Sequence, residues 1–248
     1  MRRIPLLLGL VALMPVPSFA ADVSAAVAAN FTKPAEELGK AFTAQTGDTV
    51  TFSFGATGAL YTQLSQGAPF EVFLSADTKR PAQAVKEGFG VEGSAFTYAV
   101  GKVVLYSPTV EFTDGAAVLA ANAFQHLSIA DPKTAPYGAA AMEVLGKLGL
   151  TEAVAPKIVT GENISQALQF VDTGNAELGF VALSQVIDKP AAQVWRVPAD
   201  YYSPILQDAV LTKAGDADPA AKAFLEFLRS DEGKVIIEIY GYEVGSAG

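Results

Sequence analysis

Short β-rich runs alternate with helical patterns along almost the whole chain, and this alternation constrains the fold more than any other feature. Residues 23–28, 48–54, 70–75, 98–106, 127–130, 157–160, 177–183 and 204–212 read as strands. Between them, Ile164-Ala167-Leu168-Val171 and Ala221-Phe224-Leu225-Leu228 repeat at i, i+3, i+4, i+7, the spacing of one apolar helix face. Strands joined through helices require crossover connections, so the expected class is α/β, with mostly parallel sheets flanked by helices. Two strand-like stretches are longer than the rest: 97–107, interrupted by Gly101, and 201–212, which contains Pro204. A pair of long crossing segments suits two lobes joined by a two-segment hinge. A single sheet with one long strand pair fits the same pattern.

The first twenty residues stand outside this alternation. Arg2 and Arg3 precede an apolar run over 4–14, then Pro15-Val16-Pro17 and the small-residue site Ser18-Phe19-Ala20. That is the layout of a secretory signal peptide cleaved after Ala20, and it implies a periplasmic protein. The apolar run is shorter than the roughly 20 residues a membrane span needs, and the mature chain is expected to insert in no membrane. Acidic residues outnumber basic ones 26 to 17, and the loss of Arg2 and Arg3 widens the gap. Such a chain repels nucleic acid. There is no cysteine, which excludes thiolate nucleophiles and cysteine metal sites.

Catalytic constellations are scarce. His126 is the single histidine, in Phe124-Gln125-His126-Leu127, with no acid or nucleophile signature beside it. No G-x-S-x-G, H-E-x-x-H or G-x-x-x-x-G-K-[ST] motif occurs. The chain therefore reads as a non-enzyme without a cofactor or a protein-chelated metal; a periplasmic hydrolase or transferase is the competing class.

A different device recurs: a strand that ends in small, uncharged residues and passes at once into a helix. It occurs at Ala28-Ala29-Asn30-Phe31-Thr32, before a helix starting near Pro34, and at Gly55-Ala56-Thr57-Gly58. It recurs at Thr134-Ala135-Pro136-Tyr137-Gly138 and at Glu162-Asn163-Ile164-Ser165-Gln166, where Asn163 and Gln166 resemble a capping box. A helix N-terminus presents unpaired N–H groups and about half a positive charge, so it favours an anion. Several such ends can hold a tetrahedral oxyanion without lysine or arginine, which reconciles anion binding with an acidic chain. In open α/β sheets ligands sit at the strand ends from which such helices start.

Three segments carry a resemblance to a known family: Ala28-Ala29-Asn30-Phe31-Thr32, Ser53-Phe54-Gly55-Ala56-Thr57-Gly58-Ala59-Leu60, and Gln66-Gly67-Ala68-Pro69-Phe70-Glu71-Val72-Phe73-Leu74-Ser75-Ala76-Asp77. They resemble the periplasmic molybdate-binding proteins of bacterial ABC importers, although Glu71 replaces the usual aspartate. Ile129-Ala130-Asp131-Pro132, Leu178-Gly179-Phe180-Val181, Phe224-Leu225-Glu226-Phe227-Leu228 and Tyr240-Gly241-Tyr242 extend the likeness along the chain. The resemblance implies a two-lobed type II periplasmic-binding-protein fold: lobe I from residues 21–100 and 207–248, lobe II from 101–206. It also implies a monomer that binds molybdate or tungstate between the lobes and delivers it to a membrane permease; sulfate or phosphate would be the alternative cargo. Carried over by position, Asn30 and Thr57 bind from lobe I, and Ile164 offers its backbone N–H from lobe II. Many members have serine at the place of Asn30 and a ligand-binding tyrosine at that of Ala182. The phenol of Tyr137 is expected to stand in for the latter.

Overall fold

The protein's structure, a computed structural model, describes residues 20–244, so the proposed leader lies outside the described residues except for Ala20. The strands form two five-stranded sheets. The first runs β2 (Thr49–Gly55), β1 (Asp22–Ala28), β3 (Val72–Leu74), β10 (Ile205–Leu211), β4 (Phe96–Gly101). The second runs β7 (Ile158–Gly161), β6 (Leu127–Ala130), β8 (Leu178–Ala182), β5 (Val103–Tyr106), β9 (Val194–Arg196). Each repeats one plan: three parallel strands, one reversed strand, then one in the original direction. The sheets are thus mostly parallel by strand direction, and the reversed strands, β5 and β10, are the first that the chain forms after each crossing between sheets.

Helices cover both faces. The first unit carries α1 (Thr32–Thr46), α2 (Thr57–Ser65), α3 (Lys79–Lys86), α8 (Pro219–Arg229) and α9 (Asp231–Ile239). The second carries α4 (Gly115–Ala121), α5 (Pro136–Lys147), α6 (Thr151–Val154) and α7 (Ile164–Asp172). Val23, Ala25 and Val27 of β1 pack with Phe42 of α1 and Phe224 of α8, whereas Ala26 packs with Leu60 of α2 on the opposite face. Burial on both faces explains why Ala25 to Ala28 of the strand read as a continuous apolar run. The stripe Ala221-Phe224-Leu225-Leu228 is buried as its spacing predicts, with Phe224 set edge-on to Phe42 at 5.4 Å. Truncating Phe224 to alanine would cost about 3–5 kcal/mol.

Two sequence expectations need correction. Residues 98–106 are two strands in different sheets, because the chain crosses at Lys102. Gly101, the last residue of β4, has no room for a side chain: a Cβ there would lie 2.0 Å from the Tyr137 phenol oxygen and 2.7 Å from Gln207 Nε2. The stretch 201–212 also divides, since the 3-10 turn Ala199–Tyr201 and residues 202–204 lead back to the first sheet before β10 begins. The short edge strand β9 was not anticipated; Val194 and Trp195 are only partly buried and Arg196 is exposed.

Candidate functional site

The four predicted junctions converge. Asn30, Thr57, Tyr137 and Ile164 line one small cavity between the two sheet units, of about 10 Å³. The rest of its wall is Ala28, Ala29, Gly55, Ala56, Ala76, Ala135 and Pro136, so no lysine, arginine, aspartate or glutamate borders it.

Local sequence explains how each junction arrives there. Thr57 opens α2 behind Ala56, and Pro136 and Tyr137 open α5 behind Ala135; neither alanine can cap a helix with its side chain. At α7, Asn163 does cap, but its Oδ1 accepts from the amides of Ser165 at 2.9 Å and Gln166 at 3.1 Å. The first amide, that of Ile164, is left over. The Gln166 side chain accepts from Glu162 N–H, one residue before the cap, so the anticipated reciprocal capping box is displaced by one position. Among the described residues the amides of Thr57, Tyr137 and Ile164 make no hydrogen bond. Buried helix ends without a cap are costly unless a ligand supplies the missing acceptor. Gly138 lets α5 approach the end of β6 this closely, for a Cβ there would lie 2.1 Å from the Ala130 carbonyl oxygen.

The side chains take different parts. Thr57 is 1% exposed and its Oγ1 accepts from Ala76 N–H at 3.0 Å, which leaves the hydroxyl hydrogen free to donate. Asn30 is held from behind: its Nδ2 donates to Gln207 Oε1 at 2.8 Å and to the Tyr242 hydroxyl at 2.9 Å. The backbone carbonyl of Asn30 accepts from Ser184 Oγ and from the Tyr242 hydroxyl, both at 2.8 Å. The Tyr137 phenol departs from expectation. It is buried against Gly101 and accepts from Gln207 Nε2 at 3.4 Å, as part of this same network. Burial, reinforced by Tyr242 beside it, holds its pKa well above the usual tyrosine value, so it stays protonated. Tyr137 thus lines the cavity with an unpaired amide while its phenol serves the network. Ala182 ends β8, fully buried, with its amide donating to Gln185 Oε1.

Sequence reading missed Gln207, Ser184 and Tyr242, which support the site from behind. It also passed over the alanines at the caps of α2 and α5, a signal legible in the chain. His126 is exposed, at the start of β6, and is not part of the cavity wall.

The two units are closed on each other around the cavity. Gly58 N–H donates to the Thr134 carbonyl at 2.9 Å, Arg80 to that of Lys133 at 3.3 Å, and Ser165 Oγ to that of Ala29 at 3.3 Å. A larger open cleft of about 510 Å³ adjoins, sharing Ala76, Ala135 and Pro136 with the inner cavity. It mixes Lys79, Arg80 and Lys133 with Asp77 and Glu143, and Asp77 pairs with Arg80.

Residues 23–243 match the family model described as bacterial extracellular solute-binding protein. The chain belongs to this family. Among these solute-binding proteins, the molybdate-binding protein ModA of Rhodobacter capsulatus is 57% identical over 95% of this chain and 93% of its own length. The molybdate-binding protein ModA of Azotobacter vinelandii is 55% identical over 90% of each chain. A solved structure of an Azotobacter vinelandii periplasmic molybdate-binding protein superposes with a TM-score of 0.86 at 38% identity, covering 90% of this chain and all of that one. The α/β architecture of two sheets of mixed strands flanked by helices, shared with that structure, is therefore the fold of this chain.

Proposed function

We propose that this chain is the molybdate receptor of an ABC importer. It takes up the dianion, and tungstate with it, in the inner cavity and delivers it to a membrane permease. The observation that carries this reading is the convergence of uncapped helix starts from both units on one cavity without charged walls. Three unpaired amides and the Thr57 hydroxyl can donate to a small tetrahedral anion, and the N-terminal dipoles of α2, α5 and α7 add their field. The cavity, about 10 Å³, lies far below the roughly 300–1,000 Å³ usual for organic ligands, which favours a small inorganic anion. The names of two relatives, 57% and 55% identical to this chain, point to the same cargo.

On this reading the units are lobes, 21–101 with 205–244 and 103–201, hinged at the two crossings, Lys102 and 202–204. Donors from both lobes meet one anion, so the ligand binds the closed state more tightly and drives closure. The leader places the protein in the periplasm, where it acts as a monomer and as a receptor rather than an enzyme. Among the described residues no helix is long and apolar enough to cross a membrane.

Calorimetric titration with molybdate, tungstate, sulfate and phosphate tests the proposal. Saturable heat at one site is expected with molybdate and tungstate. Absence of both heat and thermal shift with these two would refute it, and stronger binding of sulfate or phosphate would reassign the cargo.

A further inference from the structure

Behind the cavity lies a buried network whose members come from both units. Asn30, Gln207 and Tyr242 belong to the first, Ser184 and Tyr137 to the second, and each is at least nine-tenths buried. Tyr242 is its hub. The phenol oxygen accepts from Asn30 Nδ2 at 2.9 Å, lies 2.8 Å from the Asn30 carbonyl oxygen, and lies 3.0 Å from Ser184 Oγ. Its backbone is anchored to the first unit, because the neighbouring Glu243 exchanges both amide hydrogen bonds with Val100 of β4, at 2.7 and 3.1 Å. Phe31, which follows Asn30, packs edge-on against the Tyr242 ring at 5.2 Å.

We infer that Tyr242 is a positioning residue which couples closure of the lobes to the geometry of Asn30. The chain's end is fixed to the first lobe, yet its phenol reaches a hydroxyl of the second. Ser184 shares the Asn30 carbonyl with that phenol, so the turn carrying Asn30 has its full set of bonds only while Ser184 is in place. Opening the lobes withdraws Ser184 and leaves the turn held from one side. Buried polar groups that lose a partner cost more than the bond itself is worth, and this makes such a network responsive to closure. The inference rests on the reading of the cavity as the molybdate site.

A double-mutant cycle on molybdate affinity tests it, using Tyr242→Phe, Ser184→Ala and the double variant, with unfolding of the ligand-free proteins measured alongside. Phenylalanine keeps the ring against Phe31. Each single variant is expected to weaken binding about 2- to 12-fold. Coupled residues should also make the double variant depart from the product of the singles by more than about twofold. Effects that multiply, or a lowered melting temperature with unchanged affinity, would show that Tyr242 serves only the fold of its own lobe and overturn the inference. A wild-type protein that binds no molybdate would refute the proposed function and this inference with it, whereas binding with uncoupled variants refutes the inference alone.

Discussion

Thr57 has two separable roles, and substitution can resolve them. Its hydroxyl oxygen accepts from the buried amide of Ala76, while its hydrogen remains available to the cavity. Thr57→Val preserves shape and β-branching but removes both interactions. In the ligand-free protein Ala76 N–H is left without a partner at a position 1% exposed, a loss of about 1–3 kcal/mol in unfolding free energy. In the complex a hydrogen bond to a charged oxyanion is lost as well. Such bonds are worth about 1.5–3 kcal/mol, so the dissociation constant for molybdate should rise about 10- to 150-fold.

Thr57→Ser keeps the hydroxyl and drops one methyl. It should stay within a few-fold of wild-type affinity and lose at most about 1.5 kcal/mol of stability. Urea unfolding without ligand and calorimetry with molybdate measure the two quantities independently. If Thr57→Val is destabilised as expected but binds with unchanged affinity, the hydroxyl does not donate to the ligand. If valine and serine behave alike in both assays, the reasoning from hydrogen bonding fails altogether.

Tyr137→Phe should leave molybdate affinity within about threefold while costing about 0.5–1.5 kcal/mol of stability, because the phenol bonds Gln207 at the rear; a loss in affinity as large as that of Thr57→Val would return the phenol to the cavity. Gly101→Ala drives a methyl into that phenol and into Gln207, and should destabilise by about 1–3 kcal/mol or more in chemical unfolding; a neutral result would mean that the crossing can shift freely. Burial raises the pKa of Glu71, opposed by its bond from Ser24 N–H and reinforced by the nearby Asp218 and Asp22. The folded protein therefore disfavours the ionised form, so Glu71→Gln should be the more stable at neutral pH. That advantage should close as the pH falls through the raised value toward the ordinary range near 4.5, where wild type is protonated too. A wild type more stable than Glu71→Gln at pH 7 in thermal unfolding would reverse the assignment.

Much of the fold was legible because it rests on periodicities that local sequence carries. The buried face of α8 could be read from four residues, and the runs that became β1 and β6 from their apolar continuity. The crossing at Lys102 was not legible, since residues 98–106 have strand-forming character on both sides of it. The contact that marks the place, the phenol of a residue 36 positions beyond Gly101 packed against it, is nonlocal. The four junction residues were legible by chemistry, as small or polar groups at helix starts. Their supports were not, for Gln207 and Tyr242 meet Asn30 across 177 and 212 positions of chain. The phenol of Tyr137 was misdirected for the same reason: sequence placed the residue at the junction, and only the packing showed that its amide and its hydroxyl point to different tasks.

An acidic receptor for a dianion poses an electrostatic problem whose solution is measurable. The net charge of −9 repels the ligand at long range, so affinity must come from dipoles and amides that act over a few ångströms inside the closed cavity. Salt screens the first interaction strongly and the second little. The Debye length falls from about 30 Å to about 3 Å between 0.01 M and 1 M ionic strength. The association rate of molybdate should therefore hold steady or rise as sodium chloride is added, and the dissociation constant should not worsen by more than a few-fold. A site built on lysine and arginine behaves in the opposite way, weakening as its charges are screened. Titrations across that range distinguish the two. A tenfold or greater loss of affinity at high salt would transfer the anion from the uncharged inner cavity to Lys79, Arg80 and Lys133 of the outer cleft. Constant affinity together with faster association would identify the unpaired amides at the starts of α2, α5 and α7 as the groups that hold it.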